Sequence, residues 1–254
     1  MSTPPRMPYE GMIAETITYP GLNGDSIDAY LARPLGPGPF PVVIVIPEVF
    51  GLVTHIKEVT RRIAARGYVA ISPELYTREG PPDPTDMTSV GPKMMALTDA
   101  QAIGDLEGAI TSLKEHPQTN GKVGVIGFCS GGRHTLLLAC QSARVDAAVD
   151  CWGGRTVEGE VSPARPVLAI DLIDRLCCPL LGIFGEDDTN PTVAHVERLR
   201  EELARHGKEF EFKVYPNAGH AFFADYRPSY RQEAAIDAWV RVFDWFQKHL
   251  STPA

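Results

Sequence analysis

A cysteine stands in the segment GFCSGG, residues 127–132, at the position where many hydrolases carry a nucleophilic serine. Gly127 and Gly131 flank Cys129, an apolar strand-like run precedes the segment, and an apolar helix-like run follows it. A strand, a sharp turn and a helix lift the central side chain clear of a sheet and place it at a helix N-terminus, where a thiolate is favoured. We therefore predict that Cys129 is a nucleophile; the alternative is a small apolar side chain beside a tight turn. His134, one turn into the helix, could be near the site, but packing is the simpler interpretation.

A thiol nucleophile requires a general base, and the base requires a group that orients it. Asp188 follows Cys129 in a turn after an apolar run, and His220 follows in the loop NAGHAFF after another apolar run. The order nucleophile, acid, histidine is that of the α/β-hydrolases. We predict His220 as the base and Asp188 as the acid, with Asp187 as the alternative acid. The backbone N–H of Ser130 is a candidate donor to the oxyanion that forms in the transition state.

Six apolar runs predict the strands that must position these residues. Several are apolar throughout, as expected when both faces of a sheet are covered. Two earlier segments, 15–20 and 26–34, alternate apolar and polar residues and predict an antiparallel edge. Because helical periodicity separates the runs, the sequence predicts an α/β fold with a mostly parallel sheet, an antiparallel N-terminal edge and helices on both faces. The six runs are residues 41–48, 68–75, 122–128, 145–152, 179–188 and 211–220.

Local signals predict where two of the helices begin. Asn190 and Pro191 suit the N-cap and the first position of one helix. Ser229 and Gln232 have capping-box spacing for the last helix. The proline-rich segment 78–92 is expected to be a surface loop that borders or covers the site, or that simply connects two elements. The last helix is expected to bury Ile236, Trp239, Val240, Phe243, Phe246 and Leu250.

Composition excludes several classes of function. The 254 residues, 44% hydrophobic, are enough for one domain over 1–254 with a loose arm at 1–12. A net charge of −8 without a Lys/Arg run argues against nucleic acid. No apolar run approaches the roughly 20 residues of a membrane span, and no apolar signal segment opens the chain, so we expect a cytoplasmic protein without a membrane partner. Five cysteines without CxxC spacing argue against a disulfide framework, and we expect no metal and no organic cofactor.

Five segments carry a family resemblance: PEVFG (47–51), SPELYTR (72–78), GFCSGG (127–132), GEDDTNP (185–191) and YPNAGHAFF (215–223). In order and spacing the chain resembles the dienelactone hydrolase family of the α/β-hydrolase fold, whose most distinctive feature is a cysteine in the elbow. The resemblance implies a triad of Cys129, Asp188 and His220. It also implies hydrolysis of a carboxymethylene-butenolide, a small enol-lactone with a free carboxylate.

Glu48 is a carboxylate in an apolar frame, where an ion requires a partner. The resemblance implies that it contacts the thiol of Cys129. A negative charge there would keep Cys129 a resting thiol, and substrate binding could release Glu48 to take the proton. The alternative is a structural ion pair with an arginine. The resemblance also gives Val49 the second oxyanion N–H.

Arg78 matches the arginine with which the family binds the substrate carboxylate, since a guanidinium can bond both oxygens at once. The alternative is a solvated surface arginine. The family's second carboxylate-binding arginine is replaced here by Ala224, and Arg227 or Arg231 just beyond could substitute. Trp152, at the end of a predicted strand, is expected either to line the acyl pocket or to pack in the core.

The sequence therefore predicts a cysteine-dependent hydrolase of small esters or lactones that acts through a thioester on a substrate bearing a carboxylate. Two alternatives remain open. One is a general carboxylesterase or thioesterase on the same scaffold. The other is a catalytically silent binding protein with the same fold.

Overall fold

The computed structural model describes residues 11–251 of the chain. The strands are β1 (Met12–Pro20), β2 (Ser26–Pro34), β3 (Phe40–Ile46), β4 (Val69–Pro73), β5 (Thr119–Phe128), β6 (Ala147–Cys151), β7 (Leu180–Gly185) and β8 (Phe210–Tyr215). The α-helices are α1 (Thr54–Ala64), α2 (Met87–Ala96), α3 (Asp99–Lys114), α4 (Ser130–Gln141), α5 (Val193–Arg205) and α6 (Gln232–Leu250). Within the described range, no helix is long and apolar enough to cross a membrane.

The eight strands form one sheet in the order β1-β2-β4-β3-β5-β6-β7-β8. β1 and β2 pair antiparallel, as do β2 and β4, and the other neighbours are parallel. The predicted α/β fold and its antiparallel edge are confirmed. Because β3 and β5 are neighbours, the segments that follow them leave the sheet side by side. Of the expected N-terminal arm, residues 1–10 lie outside the described residues, and Met12 already belongs to β1.

β3 illustrates how helices cover both faces of the sheet. Ile44 and Ile46 point into a core shared with α3, α4 and α5. Val43 and Val45 point into the opposite core, which α1 and α6 complete. All four side chains are fully buried, which explains why this strand is apolar at every position instead of alternating.

The segment 78–92 is not wholly a loop, because α2 begins inside it at Met87. Asp86 is the N-cap, and its side chain accepts the N–H of Thr88 at 2.9 Å. The cap satisfies one of the free donors of the first turn, so a helix forms although it contains Pro92. The prediction of a loop was wrong from Met87 onward.

Two predicted helix caps also differ in the structure. α5 is capped by Thr192 and not by Asn190, because Thr192 and His195 exchange side-chain and backbone hydrogen bonds in a capping box. α6 follows Arg231 and has no side-chain cap, so the box predicted at Ser229 does not form.

The buried face of α6 is rotated from the predicted one. Ile236 and Val240 are 57% and 53% exposed. The helix approaches the sheet through Ala235 and Ala238, whose small side chains allow close packing but give no signal in a stripe defined by large residues. The buried residues of α6 are Ala235, Ala238, Trp239, Val242, Trp245, Phe246 and Leu250.

α3 packs closely on the turn between β1 and β2 through two glycines one helical turn apart. A Cβ atom at Gly108 would lie 2.3 Å from the carbonyl oxygen of Pro20 and 2.9 Å from the Cα of Gly21. A Cβ atom at Gly104 would lie 2.6 Å from the side chain of Leu22. The first contact is with backbone, which cannot move aside without displacing the turn.

Gly108→Ala should therefore destabilise the protein by about 1–3 kcal/mol, because overpacking costs more than the roughly 1 kcal/mol that helix propensity gains from alanine. Urea unfolding measures the change. Gly91→Ala in α2 is the control, since no atom lies within 4 Å of its added Cβ. If Gly108→Ala stabilised the protein, the close contact between α3 and the turn would not be a constraint.

Candidate active site

Cys129 lies in a strained turn between β5 and α4. Its backbone has φ 55° and ψ −114°, a region that side-chain-bearing residues rarely adopt. Hydrogen bonds hold this conformation on both sides. The N–H of Cys129 donates to the carbonyl of Cys151 at 3.1 Å, and its carbonyl accepts the N–H of Gly132 at 3.0 Å. The side chain is thereby held at the N-terminus of α4, partly exposed.

The glycines around Cys129 are required by close approaches of neighbouring segments. An added Cβ at Gly127 would lie 2.0 Å from the carbonyl oxygen of Gly131. An added Cβ at Gly131 would lie 2.3 Å from the carbonyl oxygen of Ile46, at the end of β3. At Gly132 it would lie 2.4 Å from Oδ1 of Asp150. No larger residue fits at these three positions unless the surrounding atoms move.

His220 and Asp188 form a hydrogen-bonded pair. Nδ1 of His220 lies 2.8 Å from Oδ2 of Asp188, whose side chain is 1% exposed. The other oxygen, Oδ1, accepts the N–H of Asn190 at 2.9 Å, so the carboxylate is held in place from both sides. Asp187 is exposed, and its side chain has no such contact with the described residues. The geometry favours Asp188 over Asp187 as the partner of the histidine.

His220 also interacts with Cys129. Burial alone would lower the pKa of His220, but hydrogen bonds with Asp188 and with Cys129 outweigh burial and raise that pKa to about 10. The imidazole therefore interacts with both the carboxylate of Asp188 and the sulfur of Cys129. The three residues predicted from their order in the chain converge at one point.

Trp152 packs behind the histidine and does not line the pocket. Only 2% of it is exposed, and its φ of 45° aims the ring into the core. The ring centroid of Trp152 lies 5.7, 5.1 and 5.0 Å from the ring centroids of Phe128, Phe222 and Phe223, respectively. The ring meets His220 edge-on at 6.3 Å. Of the two roles predicted for Trp152, core packing is the one that the structure places here, and a substrate-lining role has no support.

The two predicted oxyanion donors lie on neighbouring segments. Val49 is in the turn after β3, and Ser130 is the first residue of α4. Within residues 11–251, neither backbone N–H has a hydrogen-bond acceptor. Both donors therefore remain free to bind a ligand oxygen.

Glu48 forms an ion pair with Arg227 at 2.7 Å, although the two residues are 179 positions apart in the chain. Only 5% of Glu48 is exposed. The guanidinium lies over the rings of Phe50 and Tyr226, with centroid distances of 5.4 and 5.3 Å. Among the described contacts, no hydrogen bond joins Glu48 to Cys129. The arrangement is the ion pair that the sequence left open as the alternative.

Arg78 does not point to a substrate. Its Nε lies 2.7 Å from Asp25, and its two terminal nitrogens lie 2.7 and 3.0 Å from the carboxylate of Asp105. The side chain of Asp105 is fully buried, so it requires this cation. The guanidinium is occupied by carboxylates of the protein, and these contacts give no support to the predicted role of Arg78 in binding a substrate carboxylate.

Two arginines, Arg227 and Arg231, were candidates to replace the family's second carboxylate-binding arginine. Ala224 is buried and closes a turn. Arg231 donates to the carbonyls of Asn217 and Pro228 and so holds the loop that carries His220. Of the two candidate arginines, only Arg227 contacts a predicted site residue within the described part of the chain.

A pocket of about 210 Å³ opens beside the elbow. Two of its lining residues, Tyr76 and His134, were not predicted as site residues. Burial lowers the pKa of His134 to about 4, so its ring is neutral. Tyr76 lies in the resembling segment SPELYTR, which was the available signal, whereas packing was the simpler interpretation of His134. The pocket is lined by Pro47, Glu48, Gly51, Leu75, Tyr76, Leu97, Ser130 and His134.

No group of three or more His, Cys, Asp or Glu side chains in the described part of the chain is arranged to hold a metal ion.

The model of the family described as "Dienelactone hydrolase family" matches residues 27–250. The chain belongs to the dienelactone hydrolase family. The hydrolase is 42% identical over 244 residues to "Putative carboxymethylenebutenolidase" of Methylorubrum extorquens, covering 94% of this chain and 82% of the relative. It is 30% identical over 231 residues to "Probable 2-oxo-3-(5-oxofuran-2-ylidene)propanoate lactonase" of Bradyrhizobium sp, covering 91% and 92%.

Among solved structures, the hydrolase is similar to "Putative Dienelactone Hydrolase" from Klebsiella pneumoniae, with a TM-score of 0.88 and 37% identity, over 94% of this chain and 100% of that one. These relationships make the protein a carboxylic ester hydrolase, and the alternative of a catalytically silent binding protein is set aside.

Arg78→Ala should lower the free energy of unfolding by about 3–5 kcal/mol, because it leaves the buried Asp105 carboxylate without a counter-charge. Arg241→Ala is the control, since Arg241 pairs with the exposed carboxylates of Glu211 and Asp237 and should cost no more than about 1 kcal/mol. Urea unfolding compares the two. If Arg78→Ala were as stable as the control and lost only turnover of anionic substrates, Arg78 would be a substrate-binding residue after all.

Proposed function

We propose that this hydrolase opens small esters or lactones by attack of the Cys129 sulfur, through a thioester intermediate. The observation that carries the proposal is the hydrogen-bonded chain from Asp188 through His220 to Cys129. Each residue follows a different parallel strand, β7, β8 and β5, at the edge of the sheet where sites of this fold occur. The position of Cys129 at the N-terminus of α4 supports a thiolate for the same role.

The proposed chemistry is acyl transfer in two steps. The thiolate forms a bond to the carbonyl carbon, and the negative charge that develops on the carbonyl oxygen is stabilised by the N–H groups of Val49 and Ser130. Collapse of the tetrahedral intermediate breaks the C–O bond, and protonated His220 gives its proton to the leaving oxygen. His220 then takes a proton from water, the resulting hydroxide attacks the thioester carbon, and the sulfur of Cys129 leaves as the thiolate.

Glu48 and Arg227 are proposed to control the charge beside the nucleophile. While they are paired, their charges balance, and Glu48 repels a thiolate only weakly. A ligand anion that draws Arg227 away would leave the negative charge of Glu48 unbalanced beside the sulfur. Arg227 can therefore bind substrate, as the sequence predicted, only by giving up its partner.

The proposed substrate is a small lactone that bears a carboxylate. The names of the relatives from Methylorubrum and Bradyrhizobium refer to a butenolide and to an oxofuranylidene propanoate, both of them lactones. The pocket beside the elbow is lined by Glu48, Tyr76, Ser130 and His134, so a ligand bound there would meet polar groups. A general carboxylesterase or thioesterase would instead prefer neutral esters. Because all five cysteines are free thiols, we also propose a reducing, cytoplasmic location.

Cys129→Ala should lower kcat/KM on a carboxymethylene-butenolide by at least about a thousandfold, since it removes the nucleophile. Cys129→Ser should also be severely impaired, because a hydroxyl is a weaker nucleophile than a thiolate in this site. Cys177→Ala removes an exposed thiol and is the control, with activity unchanged. Mass spectrometry of the quenched wild-type reaction should find the acyl group on the peptide that contains Cys129. Near wild-type turnover by Cys129→Ala would exclude the thioester mechanism.

Glu48→Gln and Arg227→Gln should change the reactivity of Cys129 in opposite directions. The first leaves an unpaired positive charge near the sulfur and should speed its alkylation by iodoacetamide at pH 7; the second leaves an unpaired negative charge and should slow it. Both should turn over lactone more slowly than wild type. Peptide-resolved mass spectrometry measures the rates, with the exposed Cys177 as the internal reference. Equal rates in both variants would show that the ion pair does not act on the nucleophile.

A further inference from the structure

Arg165 carries a positive charge that the protein does not neutralise. It lies in the segment between β6 and β7 and is partly buried. Its Nη1 donates to the sulfur of Met95 at 3.3 Å, and its Nη2 donates to the carbonyl of Met94. Within residues 11–251 no carboxylate lies within 4.0 Å of this guanidinium. Both acceptors are uncharged, so the site keeps a net positive charge and spare N–H donors.

The nearest acid is already used. Asp99, at the start of α3, receives both terminal nitrogens of Arg133 at 2.5 and 2.8 Å, and both side chains are buried. Asp99 also donates its backbone N–H to the carbonyl of Ala164, next to Arg165. The Asp99–Arg133 pair is neutral as a unit, and it fixes the segment that holds Arg165. The positive charge of Arg165 therefore remains uncompensated.

Two polar groups of the pocket lie within the field of this charge. Tyr76 is 3% exposed, and its hydroxyl has no hydrogen-bond partner among the described residues. His134 is 6% exposed, and its Nδ1 is buried without a partner in the same range. Both residues line the pocket beside Ser130. A buried polar atom without a partner, such as Nδ1 of His134, is costly, and a ligand that bonds it would remove that cost.

Contacts on two sides hold Arg165 next to the pocket. Nε2 of His134 lies 4.0 Å from Oδ1 of Asp99, whose backbone N–H bonds the carbonyl of Ala164, the residue before Arg165. Met94 and Met95, which Arg165 contacts, lie at the end of α2 just before the pocket residue Leu97.

Burial raises the pKa of Tyr76 to about 12, with the charge of Arg165 opposing this rise and that of Cys129 adding to it. Burial and Arg133 lower the pKa of His134, and Arg165 lowers it further. A ligand whose carbonyl carbon is at Cys129 can extend an anionic group past Tyr76 toward Arg165.

We propose that Arg165, with Tyr76 and His134, binds the anionic group of the substrate and so determines specificity in this hydrolase. The inference rests on the proposed function, because it assumes that the scissile carbonyl lies at Cys129. Arg165 takes the carboxylate-binding role that was predicted for Arg78, whose guanidinium is occupied by Asp25 and Asp105. Arg227 is a less suitable anchor, since it already bonds Glu48 at 2.7 Å. The ligand class is a small lactone or ester with a carboxylate, recognised by one guanidinium and two neutral hydrogen-bonding side chains.

The test is binding in the absence of turnover. A carboxymethylene-butenolide and its methyl ester are titrated by calorimetry into Cys129→Ala protein and into Cys129→Ala/Arg165→Gln protein. Loss of one charge-assisted hydrogen bond should weaken binding of the acid by about 10- to 150-fold. Binding of the methyl ester should change by less than about threefold. Because the nucleophile is absent from both proteins, failure of the thioester mechanism would not affect this result.

Two variants control for charge and for folding. Arg175→Gln makes the same charge change in the same connecting segment, at an exposed side chain away from the pocket, and should leave both affinities unchanged. Arg165→Lys keeps the charge but loses the planar fork and should bind the acid with intermediate affinity. Circular dichroism checks that each variant is folded. If Arg165→Gln does not fold, Arg165→Lys replaces it in the binding comparison.

Equal weakening of acid and ester by Arg165→Gln would overturn the proposal, since it would indicate a structural role. Unchanged binding of the acid would also overturn it. The proposal is equally wrong if Arg227→Gln, and not Arg165→Gln, removes the preference for the acid. In the wild-type enzyme, a selective loss of kcat/KM on the acid in Arg165→Gln would add support.

Discussion

The turn that holds Cys129 depends on three close contacts, each made to a glycine. At each of these glycines a neighbouring oxygen lies where any other residue would have its Cβ atom. The carbonyl of Ile46 at the end of β3, the carbonyl of Gly131 in α4 and the carboxylate of Asp150 in β6 each occupy space that a Cβ atom would need. This crowding fixes α4 against the sheet and forces Cys129 into φ 55°. The rest of the site is arranged around a side chain that cannot turn away.

Around that point the protein pairs several of its buried carboxylates with partners from distant parts of the chain. Asp188 meets His220, Asp99 meets Arg133, and Asp105 meets Arg78. Such pairs contribute little net stability, yet removal of one partner is expensive, and they therefore define one arrangement of loops. Where the pairing is incomplete, at Arg165 and at the polar atoms of the pocket, the site has capacity for a ligand.

The elements that alternate along the chain were predictable because each parallel strand is buried on both faces and appears as a continuous apolar run. The contact of His220 with Asp188 and with Cys129 was predictable because the three residues each follow such a run in a fixed order. Arg78 and Arg165 were not, because an ion pair is decided by which side chains meet in space. Local sequence does not record that Asp105 in α3 pairs with Arg78, or that Asp99 is taken by Arg133. The buried face of α6 was predicted wrongly because small alanine side chains, and not large apolar ones, form its contact with the sheet.

The ion pair between Glu48 and Arg227 joins two segments that a ribosome makes far apart in time. β3 and the elbow after β5 can assemble while the later strands are still being synthesised. During that interval the sulfur has neither its histidine nor the arginine that balances Glu48, and the exposed carboxylate beside it disfavours a thiolate. Under the proposed mechanism a nascent chain carries Cys129 in an unreactive form, and reactivity arises only after the last loop, with α6 behind it, closes the site.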